Sequence, residues 1–237
     1  MKKTTWSKAF PKLYELYCDS DQVNSENYFK EFGDALKMPL ARSYYDQLEK
    51  ELEQLDDIAW QEFKQKVLKY VTINDSHRGY NQLFECFNEV KGYLYLRSEG
   101  CDKINFIPEG DEERPDIRAS YKSSVVLMEV KTINKSDAEI EWVRMNAEIG
   151  ADGIRHPEAK EVQRGVNDQL KLKIKDTNFK AKNQLLAYHC EGVMRRIVYL
   201  LINLDILYAL DPRNYDDLAV YIQQQSDSQV EVAHQFL

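Results

Sequence analysis

The chain reads as an α+β (α/β) protein, a central mixed β-sheet flanked by helices with an N-terminal all-helical appendage. Three observations predict this. Apolar and aromatic residues recur at three- and four-residue intervals through 1–75 and again over 78–96, the spacing of amphipathic helices. Short runs rich in β-branched residues then follow near 103–107, 125–130 and 196–204, the length of buried strands. With 237 residues, 43% of them hydrophobic and only nine Gly and six Pro, the chain can bury a sizeable core. The expected organisation is a helical region over 1–75 and a sheet-containing domain over 76–237, with its core at 78–205 and an insertion at 136–164.

The N-terminal helices are read from four stripes: Trp6, Leu13, Leu16 and Tyr17; Tyr28, Phe29, Phe32 and Leu36; Tyr44, Tyr45, Leu48, Leu52 and Leu55; and Trp60, Phe63, Val67 and Tyr70. Pro11 and Pro39 mark starts or breaks. Because the aromatics keep helical spacing, they are read as core before a base-stacking platform. Tyr80, Leu83, Phe84, Phe87, Val90 and Leu94 form one face of the next helix. A strand at 103–107 follows, then a hairpin. Pro115-Asp116-Ile117-Arg118 opens one arm, since Pro is tolerated at a strand's first residue, the segment 120–124 is the connection, and 125–130 is the other arm. The acidic insertion, with Gly150, Gly153 and Pro157, is expected to be a loop with a short helix near 139–147, and one more helix is expected over 214–225.

Chemistry concentrates on the hairpin. Glu129 and Lys131 stand two positions apart, so strand alternation places them on one face, and pairing would bring Asp116 back beside Glu129. Two carboxylates at close range stay ionised most easily around a cation, which makes this a candidate place for a divalent metal. The plain alternative is a surface ion pair at a strand end with a turn Asp nearby.

This arrangement resembles the PD-(D/E)XK nuclease superfamily, matching it literally at Pro115, Asp116, Glu129 and Lys131, with a gap of 13 residues (129 − 116). The resemblance implies a restriction-endonuclease-like core, Mg²⁺ (Mn²⁺ able to substitute) held by Asp116, Glu129 and the Val130 carbonyl, and an attacking water helped by Lys131. It also implies a further acid on the preceding helix. Glu89 and Glu85 are the candidates, and Glu89 is favoured because it lies nearer the edge of the buried stripe; it would complete a metal shell. Gln184 and Tyr188, four apart, are similar to the QxxxY feature of RecB-like members, whose Gln and Tyr face the active site and the nucleic acid. The insertion before them is a departure from the family pattern. The function so implied is metal-dependent hydrolysis of phosphodiester bonds, in DNA first. The alternative is a catalytically inactive nuclease-fold module for binding or assembly.

Charge and cysteine usage bound the rest. A net charge of −8 argues against a protein that coats nucleic acid indiscriminately. A locally basic stretch exists, with Lys171, Lys173, Lys175, Lys180, Lys182, Arg195 and Arg196 against Asp176 and Glu191. Lys171, Lys173, Lys180 and Lys182 are candidate phosphate contacts, Lys182 would position the backbone with Gln184, and the alternative is a solvated helix face. Cys18, Cys86, Cys101 and Cys190 are far apart and offer no zinc spacing with the four His, which suits a reducing compartment. No apolar run reaches the roughly 18 residues of a membrane span, and the start MKKTTWSKAF has no apolar stretch behind its charges. The expectation is therefore a cytoplasmic protein whose partner is nucleic acid, with no membrane and a homodimer left open.

Overall fold

The computed structural model describes residues 7–76, 79–133, 193–202 and 206–210, the last two stretches as backbone strands. The insertion at 136–164 with its expected helix, and the helix expected at 214–225, lie outside the described residues. The elements run α1 (Pro11–Asp19), a 3₁₀ turn (Tyr28–Glu31), α2 (Phe32–Ala35), α3 (Pro39–Leu52), α4 (Asp57–Val67), α5 (Asn81–Ser98), β1 (Asp102–Phe106), β2 (Ile117–Tyr121), β3 (Ser124–Ile133), β4 (Val193–Ile202) and β5 (Ile206–Leu210).

The helix boundaries follow from capping chemistry. Pro sits in the first turn of α1 and of α3, where its missing N–H costs nothing. The Asp56 carboxylate accepts from Ala59 N–H at 2.9 Å and starts α4. At α1 the first N–H groups find their acceptor 36 or more residues away: buried Glu49 of α3 takes Lys12 N–H at 2.6 Å and Leu13 N–H at 3.0 Å. α5 stops where Gly100 turns to φ 79°, a left-handed conformation that glycine enters without strain, and Cys101 N–H returns to the Leu96 carbonyl at 3.0 Å.

The sheet is mixed, in the order β1-β2-β3-β4-β5, with β3 and β4 parallel and every other neighbour antiparallel. The hairpin is tighter than the five-residue connection expected from sequence. β2 runs on to Tyr121, β3 starts at Ser124, and Lys122 takes φ 53° between them. The apolar run of β3 is buried on both sides. Val126, Met128 and Val130 join the main core, whereas Leu127 packs with Ile107 and Val125 in a second cluster.

The N-terminal helices do not hang off the sheet. One continuous core runs from Phe10 and Leu13 through Phe63 and Phe87 to Val126 and Val130. α5 is its hub and buries two faces. Phe84 and Phe87 meet Tyr28, Tyr44 and Phe63 of the N-terminal helices, while Gly92 and Tyr93 face Val130, Met128 and Phe106 of the sheet. The single apolar stripe of the sequence marks only the first of these faces. The second includes Cys86, Glu89 and Gly92, residues too small or too polar to read as core, and Tyr93, an aromatic that lies off the stripe.

Candidate active site

Asp116 precedes β2 and is fixed by three backbone-directed hydrogen bonds. Its N–H donates to the Met128 carbonyl at 3.1 Å, its carbonyl accepts from Ile107 N–H at 2.8 Å, and its Oδ2 accepts from Val130 N–H at 2.8 Å. Pro115, lacking an N–H, ends the ladder just before it. With Oδ2 used by the backbone, Oδ1 points to a cation. That cation is Lys66, on the last turn of α4, whose Nζ lies 3.3 Å from Asp116 Oδ1 and 2.8 Å from both carboxyl oxygens of Glu89. Three chain segments up to 50 residues apart therefore close on one point.

The triad is nearly dry, with Lys66 7% and Glu89 5% exposed. It forms the floor of an open cleft of about 190 Å³, whose rim carries Glu85, Glu109, Tyr70 and Thr132. Asn88 Nδ2 donates to Thr132 Oγ1 at 2.8 Å, tying α5 to β3 beside the floor. Tyr70 O–H donates to Glu109, and Lys69 pairs with the same carboxylate at 3.4 Å.

Burial pushes the Glu89 carboxyl up to about 8; the Asp116 carboxylate and, more weakly, Glu129 push the same way, against the Lys66 ammonium. Burial alone would lower the Lys66 pKa, but Asp116 and then Glu89 outweigh it and hold the ammonium charged. Burial also raises the Cys86 thiol, which lines the cleft as an inert neutral group.

Linkage gives these shifts a sign. The folded-state pKa of Glu89 is raised above the ordinary 4.5, so its contribution to stability is full below that value and is lost as pH rises toward about 8. Wild type should therefore lose melting temperature relative to Glu89→Gln as pH goes from about 5 to about 8, with the difference level above. Parallel curves across that range would show that Glu89 ionises normally.

Of the two helix acids weighed from sequence, Glu89 is buried in the triad and Glu85 is exposed on the rim. Glu129 is fully buried. Met128 and Val130 approach α5 at Gly92, so alternation puts Glu129 on the strand's other side with Leu127, and the cleft wall at this level is Val130. Lys131 pairs with Leu200 in the backbone ladder, and its side chain lies outside the described residues, as do Gln184, Tyr188, Lys171, Lys173, Lys180 and Lys182. Among the described residues no group of three or more His, Cys, Asp or Glu is arranged to hold a metal ion. The donor chemistry at the floor nevertheless suits a hard cation: two carboxylates from separate elements meet on a position already filled by positive charge, and Mg²⁺ needs few protein ligands because it keeps much of its water.

Lys66 is the residue that sequence reasoning passed over. Its signal was present: it sits three after Phe63 and one before Val67, at the edge of an apolar stripe, where a Lys with nothing to pair with would be costly. The chain matches no known protein family, no curated protein and no solved structure.

Proposed function

We propose that this chain is a metal-dependent nuclease, hydrolysing phosphodiester bonds with DNA as the first-choice substrate. The observation that carries the reading is that Glu89 of α5 and Asp116 at the head of β2 reach a single cation position at the floor of an open cleft. The order of helix, three antiparallel strands and a fourth parallel to the third supports the restriction-endonuclease-like core implied by Pro115, Asp116, Glu129 and Lys131.

Mg²⁺ or Mn²⁺ held by Asp116 and Glu89, with the Val130 carbonyl, would lower the pKa of a bound water and offset charge on the reacting phosphate, while Glu129, on the other side of β3, would stand outside that shell. The chain's own groups have separate tasks. Val130 N–H locks the Asp116 carboxylate so that one oxygen is always presented. Lys131 orients or deprotonates the attacking water, whose oxygen forms the new bond to phosphorus as the bond to the leaving sugar oxygen breaks and that oxygen takes up a proton. Glu85, Glu109 and Asp116 leave the cleft acidic even with the Lys66 ammonium among them, so it repels a phosphate backbone until more positive charge is added. Lys171, Lys173, Lys180 and Lys182 would supply that charge, with Gln184 and Tyr188 placing the strand.

A second reading is favoured by one observation. Lys66 already neutralises the acids, as it would in a nuclease-like fold kept for binding or assembly. The purified protein, incubated with roughly 10 mM Mg²⁺ or Mn²⁺ and plasmid, linear or single-stranded DNA, separates the two. Ion-dependent breakage is expected. Binding without breakage on every substrate and with both ions would leave the non-catalytic module.

A further inference from the structure

We propose that Lys66 is a built-in counter-ion for the site, its ammonium holding the position between Glu89 and Asp116 that a divalent cation takes on loading, so that ion and ammonium exclude each other. The inference rests on the metal-dependent reading of the site and adds to it a residue outside the nuclease-like motif. Its ground is geometric. One Nζ stands 2.8 Å from both Glu89 oxygens and 3.3 Å from Asp116 Oδ1, bridging two carboxylates as a metal does. A second cation cannot share that point, because the ammonium already fills contact distance to both Glu89 oxygens and to Asp116 Oδ1, and two positive charges at that range repel strongly.

The ammonium also has somewhere to go. Lys66 lines the open cleft itself, on a stem with four rotatable bonds, and Glu85 and Glu109 stand on the same rim. Displacement moves the charge within an acidic cleft and does not strand it in the core. The affinity for a divalent ion is then set by α4, through linkage: whatever steadies Lys66 on the acids weakens the metal, and the metal loosens Lys66 to the same degree.

Mn²⁺ uptake by the full chain, followed from the loss of the free-ion electron paramagnetic resonance signal, tests this directly. Lys66→Met should take up Mn²⁺ roughly ten- to hundredfold more tightly than wild type. A second measurement stands apart from that variant's folding: acetylation of Lys66 in the wild type, read by mass spectrometry, should quicken when Mg²⁺ is added. Equal Mn²⁺ affinity in the two proteins, or Lys66 labelling unchanged at saturating Mg²⁺, overturns the exclusion and leaves metal-dependent cleavage standing. Absence of uptake by both proteins would overturn the metal reading, and this inference with it.

Discussion

Asp116→Asn is expected to cut ion-dependent DNA cleavage by roughly a thousandfold while the protein stays folded. The amide keeps an oxygen for Val130 N–H, so the anchor that aligns β2 with β3 survives. What is lost is the charge on the oxygen facing Lys66. Folding tolerates that loss because the Asp116 carboxylate is one of the groups raising the Glu89 pKa; with Asp116 neutral, Glu89 ionises more readily and the Lys66 ammonium keeps a counter-charge. Asp116→Ala should be equally inactive and should also lose about 1–3 kcal/mol, since it leaves the Val130 N–H without this acceptor on a strand that is 7% exposed at that residue. Cleavage rates and urea midpoints measured on both variants separate chemistry from scaffold. Activity surviving in Asp116→Asn would remove Asp116 from the reaction, and equal stability of the two variants would remove its anchoring role.

The parts of this site that depend on local pattern were legible in the sequence. Alternation and length located β3, Pro115 marked the head of the hairpin arm, and helical spacing found the helix that carries Glu89. Helical spacing favours Glu89 over Glu85 for an incomplete reason. It sets Glu89 at the border of one buried stripe, whereas α5 is clamped on two sides and Glu89 belongs to the face turned to the sheet, beside Gly92 and Tyr93. A stripe of large apolar residues reports contacts with other helices well. The closest contact with the sheet is made at Gly92, whose lack of a side chain hides it from any pattern of large apolar residues. Lys66 was hidden for a further reason: its partners lie 23 and 50 residues away, and no periodicity encodes a pairing that only the packing of α4 against α5 creates.

The closeness of α5 to the sheet leads to the largest expected effect on stability, at Gly92. In a helix exposed at this point, Gly→Ala would stabilise by about 1 kcal/mol through propensity alone. Here a Cβ would stand 2.7 Å from Val130 Cγ2, 2.9 Å from Met128 Sδ and 3.1 Å from Ile117 Cδ1. The Met128 thioether can swing aside, but β-branched Val130 has little rotamer freedom on its strand, so helix and sheet must part. Overpacking of that kind costs about 1–3 kcal/mol, enough to cancel the propensity gain and reverse its sign; Gly92→Val, bulkier and stiff, should cost about 3 kcal/mol or more. Glu89 lies one helical turn before Gly92 on the same face, so pushing α5 outward draws its carboxylate away from Lys66 and Asp116. Cleavage by Gly92→Ala, measured well below its melting temperature, should therefore fall further than its stability does. If the alanine variant instead melts higher than wild type and cleaves normally, α5 does not press on β3, and the convergence of Glu89 with Asp116 loses the packing that sets it.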